Sequence, residues 1–549
     1  MSLLGVGSSG LAAAYAAINA TSNNIANVNT PGYSRQNVVQ TTVPGQFSSG
    51  GFFGRSSGGF FGRGVTIESI RRAFDAQVNG QVQFSEAQSA EAATQSRLMR
   101  TVDELFAADD VGVGNALDNF FSSMTQASSR PSDIASRAAV ISSGLQLVSR
   151  LNQASSQIDE QGRNVDLGIR ATVVQINSLA QKIGRLNEAI ALARGSGQTP
   201  NDLLDQRDEV VRQLNTQVGV STLEQSDGSL NVFVSSGAAL VVGTTPASMS
   251  IGFDLTDPQK QLVGLSSANG ATTINLQLSP ASLNGGALAG QMKFRDTNLV
   301  DAKNELGRLA TAIASTFNAI HAAGTNMNGT AGQALFTLPA PVALPSALNT
   351  GTGAISVSVA AASGLKPSDY RIDYNGSQYT ITRLQDGAKS TTASMPVTLD
   401  GIAITLTGTP AAGDSFQLQP VRNAAAGIKL AFSDPRTLAF GLSNASGDNR
   451  NALALAAVAE QATLGGLTFS QALGEISAKV GATARGLETS ASIADKLLTQ
   501  ARSEQSSVSG VNLDEEAAKL IRYQQAYQAS AKVIATAQTL FQTLIDMGR

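Results

Sequence analysis

The feature of this sequence that most restricts its fold is a spacing of seven between large apolar residues at both ends of the chain. Near the start the series is Leu4, Leu11, Ile18 and Ile25, and near the end it is Leu513, Leu520, Tyr527, Ile534 and Phe541. Such spacing keeps one stripe on one face of a slightly under-wound helix, as in a coiled coil. We therefore predict that the two terminal helices pair, and that these nine residues form an assembly seam.

An alternative explanation is that alanine-rich helices place large apolar residues seven apart by chance or to cover a core. It stays open for either end taken alone, whereas two series that each stop at the limit of a helix favour pairing. Burial of nine seam residues, together with helical hydrogen bonding and alanine propensity, offsets only part of the backbone entropy lost when some 60 residues become ordered. We therefore predict that both termini are largely disordered in the free monomer.

The composition excludes several classes of function. The 549 residues include no cysteine, no tryptophan and one histidine, charged residues make up 14%, and the net charge is -3. No basic excess is available for nucleic acid, and no thiolate is available for catalysis. A two-histidine zinc site is impossible. No apolar run approaches the roughly 18 to 20 residues of a membrane helix, so we expect no membrane insertion.

The motifs that could carry chemistry have simpler structural explanations, so we expect no enzyme, cofactor, metal or catalytic residue. Residues 5–10 match G-x-G-x-x-G, but no strand can precede them, and we expect the glycines to loosen the first helical turn. The single histidine, His321, is expected to pack or to cap a helix. The acidic residues Asp514, Glu515 and Glu516 are expected to favour the positive end of the last helix.

The first helix is predicted to end at Asn29-Thr30-Pro31-Gly32, because Pro31 pushes the preceding residue out of the helical region. The following chain, to about Gly64, is predicted to be an extended loop. It contains the octapeptide Ser-Ser-Gly-Gly-Phe-Phe-Gly-Arg twice, at residues 48–55 and 56–63. The repeat is either a tolerated loop expansion, or a surface whose phenylalanines, Phe52, Phe53, Phe60 and Phe61, dock on a neighbouring subunit.

Helical and strand patterns then alternate along the chain. Residues 74–219 are predicted to be helical with breaks near Gly112 and Pro131, and helices return at 299–323 and from 451 onward, with a break at Ser509-Gly510. Three hairpins are predicted at Asp227-Gly228, Asn375-Gly376 and Asp400-Gly401. The proline-spaced run at 338–345 is predicted to be a linker. Asn512 and Glu515 resemble a capping box.

This order predicts an elongated α+β multidomain chain, with paired terminal helices, a long helical bundle shaft and β-rich outer domains. The predicted terminal coiled-coil domain comprises residues 1–34 and 510–549. The helical shaft comprises 35–219, 285–325 and 427–509. The β-rich segments are 220–284 and an inserted outer domain at 340–426. The chain ends are expected to meet at one pole and the β-rich parts to lie at the other.

Residues 24–35, Asn-Ile-Ala-Asn-Val-Asn-Thr-Pro-Gly-Tyr-Ser-Arg, resemble the N-terminal motif of the bacterial flagellar rod, hook and hook-associated proteins. Residues 509–516 and 523–527 also resemble this family, as do shorter matches near 64–75, 288–296 and 318–324. Within the family, the chain is most similar to the hook-filament junction members. The motif residues that we take from the resemblance are Ala26, Asn27, Asn29, Thr30, Pro31, Gly32 and Tyr33. The tandem octapeptide departs from the usual family pattern.

The resemblance implies a structural protein of the flagellum, secreted by the flagellar type III apparatus without a cleaved signal peptide, and therefore extracellular. The absence of charge before Arg35 agrees with this route, because a secretory signal begins with positive charge. The implied partners are the hook protein, the second hook-filament junction protein, other copies of the chain in a ring, and an export chaperone on the C-terminal helix. Alternatives are another axial subunit (hook, rod or filament), a secreted adhesin that uses residues 346–425, and an enzyme in an outer domain.

Overall fold

The computed structural model describes residues 3–43, 62–107, 112–197, 199–234, 237–269 and 272–548. Almost the whole tandem octapeptide, including all four phenylalanines, lies outside these ranges. Both interpretations of the repeat, a tolerated loop expansion and a surface that docks on a neighbouring subunit, therefore stay predictions.

Long helices lie at both ends of the described residues. The helices of the described residues are α1 (Leu3–Ala26), α2 (Ala76–Ala107), α3 (Val113–Ser129), α4 (Ile134–Gly195), α5 (Asn201–Gln217), α6 (Gly286–Lys293), α7 (Val300–Ala322), α8 (Ala424–Gly427), α9 (Arg450–Ala457), α10 (Phe469–Ser509) and α11 (Leu513–Met547). A π-helical segment, Phe294–Leu299, joins α6 to α7. The predicted breaks near Gly112, Pro131 and Ser509-Gly510 are confirmed.

Side chains at the helix starts explain where the long helices begin. The Asp133 carboxylate accepts hydrogen bonds from the backbone N–H groups of Ala135 and Ser136 at the start of α4. Thr468 and Gln471 form a reciprocal capping box at the start of α10. Helix α4 has 62 residues, which corresponds to about 93 Å at the usual rise per residue. A helix of this length gives the molecule its elongated shaft.

The strands form several small antiparallel sheets. They are β1 (Gln36–Thr42), β2 (Val65–Arg72), β3 (Val220–Glu224), β4 (Leu230–Val234), β5 (Ala238–Val242), β6 (Thr245–Pro246), β7 (Ser248–Phe253), β8 (Gln261–Asn269), β9 (Thr272–Leu278), β10 (Phe336–Thr337), β11 (Val342–Pro345), β12 (Ala354–Val359), β13 (Tyr370–Tyr374), β14 (Tyr379–Arg383), β15 (Lys389–Thr392), β16 (Val397–Leu399), β17 (Ile402–Thr407), β18 (Ser415–Gln419) and β19 (Lys429–Leu430). The strand orders are β1-β2, β3-β4-β5-β6, β7-β8-β9, β11-β18-β13-β14-β15, β12-β17-β16 and β10-β19.

The three predicted hairpins are confirmed as the pairs β3-β4, β13-β14 and β16-β17. Their turns need backbone conformations that glycine adopts without strain, since Gly228, Gly376 and Gly401 all have positive φ. Asp400, with φ 50, is also left-handed, as aspartate tolerates in tight turns.

Two predictions about irregular segments are wrong. The chain after the first helix is not an extended loop throughout, because β1 pairs with β2 from Gln36↔Arg72 to Thr42↔Val65. The proline-spaced run is not wholly a linker, because its second half is β11, which pairs with β18. Pro345 is compatible with that strand because β11 lies at the edge of its sheet.

The two β-rich segments differ in how their cores are built. Apolar side chains of β3 to β9, such as Val232, Leu240 and Val263, belong to one continuous core with the helices of the shaft. Residues 340–426, called the outer domain below, have a core of their own that includes Ile372, Ile404 and Phe416. The first β-rich segment therefore packs as part of the shaft, and the outer domain packs as a separate unit.

The composition argument against a membrane helix is wrong as it stands. Helix α1 is long and apolar enough to cross a membrane by length and composition, although a core helix of a soluble protein passes the same test. The expected absence of membrane insertion stays a prediction.

Candidate functional site

Helices α1 and α11, called the terminal pair below, pack side by side and antiparallel. A Cβ atom at Gly7 would lie 2.7 Å from Cγ1 of Ile534, and one at Gly10 would lie 2.9 Å from Oγ of Ser530. At the other end of the pair, Nδ2 of Asn24 donates to Oε2 of Glu516 at 2.9 Å. The fold-back of the two chain ends, predicted from the heptad spacing, is confirmed.

The face of α1 that meets α11 consists of small residues. Gly7, Ala14 and Thr21 are buried and spaced seven apart, and Ala17 and Asn24 form a second buried series with the same spacing. Close approach of the backbones explains the glycines at positions 7 and 10, because any side chain there would overlap α11. Gly7 and Gly10 therefore admit the partner helix, and the expectation that the glycines loosen the first turn stays a prediction.

The large apolar residues of the predicted seam are only partly buried or exposed, and among them Ile534 lies against Gly7. Leu4, Leu11, Ile18 and Ile25 are partly buried, as are Leu520 and Ile534 in α11. Leu513, Tyr527 and Phe541 are exposed, with 50%, 36% and 62% of their surface accessible. The spacing of seven thus identified the pairing of the helices and, in Ile534, one residue of the contact itself. On α1, however, the buried residues of the contact are the small ones.

The terminal pair exposes further large apolar side chains that the heptad analysis missed. They are Leu3, Val6, Tyr15, Ile521, Val533, Leu540, Leu544, Ile545 and Met547. Together with the seam residues they give the pair apolar surface on several sides. A large exposed apolar surface of this kind marks an interaction site.

A buried polar network lies at the base of the terminal pair, where α1 meets the shaft. The Asn24 side chain donates to Gln36 O at 3.0 Å and accepts from Gln36 N and from the Tyr33 hydroxyl, both at 2.8 Å. With the bond to Glu516, its amide makes four hydrogen bonds. Because Asn24 and Glu516 are each only 1% exposed, losing one partner would leave the other buried and unsatisfied.

Glu516 does more than favour the positive end of the α11 dipole, which is the role predicted from the sequence. Its second carboxylate oxygen pairs with Lys519 at 2.6 Å. The Asn512 cap of α11 is present, since its side chain accepts from the N–H groups of Asp514 and Glu515. Sequence reasoning missed Asn24 and Glu516 as a pair. A polar residue at a buried heptad position of an apolar helix is the signal that could have identified Asn24.

The family motif forms the turn that follows α1, and most of its residues shape the backbone. Thr30 donates from its N–H to Asn27 O at 2.9 Å, and the Asn27 side chain donates to Asn23 O at 3.0 Å. Gly32 has φ 80. A Cβ there would meet Cβ of Glu209 at 3.1 Å, so the turn lies directly on α5. Ala26, Asn29 and Pro31 are exposed.

Tyr33 connects the motif to an acidic region of α5. Burial, together with the nearby carboxylates of Asp205, Asp202 and Glu516, raises the pKa of Tyr33 to about 12. The next residue, Ser34, donates its N–H to Asp205 at 3.1 Å. The phenol is therefore protonated at neutral pH and donates its hydrogen bond to Asn24.

Charged pairs fix β2, α2 and α10 around the same turn. Arg72 contacts Asp205 at 3.0 Å and Asp208 at 2.5 Å. The Glu86 carboxylate, whose side chain is fully buried, accepts from Arg212 at 3.2 Å and from Arg502 at 2.8 Å. These pairs surround an open cavity of about 340 Å³ between the motif turn, α2, α5 and the end of α10.

The strand that leaves the motif turn also binds the end of the last shaft helix. Arg35 N donates to Ser509 O at 3.0 Å, and the Arg35 guanidinium lies 3.5 Å from Glu515. Both connections between the terminal pair and the shaft, residues 27–35 and 510–512, are thus joined to each other. We call this joined region, residues 24–36 with 509–516, the elbow.

The remaining candidate for chemistry, His321, is a packing residue, as predicted. It is fully buried, its Nδ1 hydrogen-bonds Gln333 O at 2.5 Å, and its Nε2 accepts from Ala439 N at 2.9 Å. Burial lowers its pKa, so the ring is neutral. Within the described ranges, no group of three or more histidine or carboxylate side chains is placed to hold a metal ion.

Comparison with known proteins gives matches along the whole chain. Family models match as follows: the helical domain of the flagellar hook-associated protein FlgK at residues 99–336, a D2-like domain of flagellar hook-associated protein 1 at 344–420, the flagella basal body rod protein at 4–33, and the C-terminal region of the basal body rod FlgEFG proteins at 503–547.

Full-length relatives agree with the family models. Flagellar hook-associated protein 1 of Escherichia coli K12 is 34% identical over 555 residues, and that of Salmonella typhimurium LT2 is 33% identical over 562 residues, with 100% of both chains covered in each case. The solved structure of the flagellar hook junction protein FlgK from Burkholderia pseudomallei has 26% identity and a TM-score of 0.73. It covers 78% of this chain and 100% of its own.

Proposed function

The chain belongs to the family of flagellar hook-associated protein 1, structural components of the bacterial flagellum, and we propose that it forms the junction between hook and filament and assembles through its terminal pair. The single observation that carries the assembly role is the apolar surface that α1 and α11 leave exposed after they have packed on each other. A ring of copies would cover that surface, because each pair would meet the pairs of its neighbours.

The partners follow from the position of a junction. The hook protein would lie on one side of the ring and the second hook-filament junction protein on the other, with identical copies beside it. The small-residue face inside the terminal pair supports this arrangement, because it leaves the large apolar side chains free to face outward. The seam residues Leu513, Tyr527 and Phe541 are the exposed members of that set.

Export is the second part of the proposal. The chain would leave the cell through the flagellar type III apparatus without cleavage of a signal peptide and would function outside the cell. An export chaperone would cover α11 beforehand, because its exposed apolar side chains would otherwise aggregate. The role is mechanical and not enzymatic. Adhesion through the outer domain could coexist with it.

The decisive experiment deletes the encoding gene and examines the cells by electron microscopy, with an assay of the medium for unpolymerised flagellin. Intact bare hooks with flagellin in the medium are the expected result. Missing hooks would instead indicate a hook or rod subunit. Normal filaments with reduced adhesion would support only the adhesin alternative.

Point variants test whether α11 carries both chaperone binding and assembly. We expect Ile534→Asp to abolish both, but Ile534 also packs on Gly7. Phe541→Asp is therefore the sharper variant, because Phe541 is mostly exposed in the terminal pair. Leu384→Asp, at an exposed apolar position of the outer domain, is the matched control. Unaltered chaperone affinity in both α11 variants would contradict the proposal.

A further inference from the structure

The outer domain is attached to the shaft by more than its two chain connections. The backbone at Val421 lies directly on α7, where a Cβ at Gly307 would overlap the Val421 carbonyl oxygen. Ala347 N in the outer domain donates to Leu255 O, in the loop between β7 and β8, at 2.6 Å. Ala362 packs against the core of the shaft and the core of the outer domain. These contacts define a docking surface.

A buried charge cluster lies at the same surface. The guanidinium of Arg422 pairs closely with the carboxylate of Asp369 in the outer domain, and it lies 3.6 Å from Asp257 in the β7-β8 loop. Gln419 also donates to Asp257 at 3.3 Å. Asp369 and Asp257 are 2% and 6% exposed. One arginine therefore compensates two buried carboxylates that belong to different parts of the molecule.

The surroundings of Asp369 increase its dependence on Arg422. Burial raises the pKa of Asp369, whereas Arg422 and Asn304 of α7 oppose that rise and Asp257 adds to it. The ion pair is the main source of compensation for a carboxylate that solvent does not reach. Removing the arginine would leave both carboxylates buried without a counter-charge, whereas removing one carboxylate would leave a one-to-one pair.

We infer that Arg422 is a positioning residue that holds the outer domain in one fixed orientation on the shaft. Gly307 contributes to this orientation because it lets the Val421 backbone lie directly on α7. This inference is independent of the proposed junction role, because every contact that supports it lies within a single chain. The outer domain is accordingly a rigid projection and not a tethered module. Any partner that contacts both the shaft and the outer domain would find them in one relative orientation.

The test measures the distance between the two parts in the free full-length chain. The sequence has no cysteine, so paired spin labels can be attached at Ala171→Cys on α4 and Thr391→Cys on β15, both at exposed positions. We expect one narrow distance distribution. Arg422→Gln should abolish the narrow peak, and Arg422→Lys should restore most of it. Asp257→Asn should broaden the peak, because Asp257 is the shaft carboxylate that Arg422 faces.

Matched controls separate positioning from general damage. Arg371→Gln removes an exposed outer-domain arginine that pairs only at the surface with Asp373, and it should leave the distribution unchanged. Gly307→Ala should shift the peak, whereas Gly486→Ala, in α10 with open space around it, should not. A broad distribution in the unaltered chain, or a narrow unshifted peak in Arg422→Gln, would overturn the inference.

Discussion

The outer domain buries most of its large apolar side chains, whereas the terminal pair leaves many of its own exposed. The outer domain encloses residues such as Ile372 and Phe416 between two small sheets, and within 340–426, all of which the structure describes, the exposed large apolar residues are Leu348 and Leu384. The terminal pair buries alanines and glycines and exposes leucines, isoleucines and aromatic residues on both helices. The outer domain is complete by itself, whereas the terminal pair needs neighbours to cover it.

The same substitution should have opposite consequences in the two regions. Phe416→Ala, at a fully buried position, should destabilise the outer domain by about 3 to 5 kcal/mol, since it creates a cavity. Phe541→Ala should change the stability of the free chain by less than about 0.5 kcal/mol. Its effect should appear as lost assembly on isolated hooks. Denaturant unfolding and sedimentation with hooks measure the two quantities. Equal stability losses would remove the contrast.

The base of the terminal pair should be its most sensitive point. Asn24→Ala removes four hydrogen bonds and leaves the Glu516 oxygen buried, which should cost about 1 to 3 kcal/mol. Amide exchange of β1 should accelerate, because Asn24 binds both backbone groups of Gln36. Asn29→Ala, an exposed motif residue, is the control. Unchanged exchange in Asn24→Ala would show that the elbow does not depend on this network.

A smaller effect is expected at Gly7, where α1 and α11 approach closely. Replacing this glycine by alanine should destabilise the terminal pair, although the same change usually stabilises a helix. Gly→Ala normally stabilises a helix by up to about 1 kcal/mol. At Gly7 the added methyl would press on Ile534, so Gly7→Ala should lower the temperature at which the assembled protein dissociates from hooks. Gly486→Ala, in an open helical position, should leave it unchanged or raise it. Equal behaviour of the two variants would argue against the observed packing.

The smallest expected effect is a loss of amide protection at the elbow as the pH becomes alkaline. The pKa of Tyr33 is raised from 10.0 to about 12 by burial and nearby carboxylates. A group whose pKa is higher in the folded state contributes stability that is complete below its unfolded pKa and is lost as the pH rises through the folded value. Protection of β1 should therefore fall between about pH 10 and 12. Tyr33→Phe should remove this loss of protection. An ultraviolet titration can follow the ionisation of the Tyr33 phenol in the unaltered chain.

Sequence reasoning succeeded where the signal is local and failed where contact is distant. The hairpins follow from Asp-Gly and Asn-Gly pairs, and the helix breaks follow from glycine and proline, so both were predictable. The centre of the terminal contact was not, because the expectation of large seam residues overlooked the series of Gly7, Ala14 and Thr21. The Asn24–Glu516 pair joins residues 492 positions apart, and no single-sequence pattern specifies such a pair.

Amide hydrogen exchange of the full chain, free and assembled on isolated hooks, tests most directly whether the terminal pair needs its neighbours. We expect rapid exchange at residues 3–20 and 521–547 in the free chain and strong protection after assembly, with 342–419 protected in both states. Equal protection of the terminal pair and the outer domain in the free chain would contradict it, because the pair would then be complete without its neighbours.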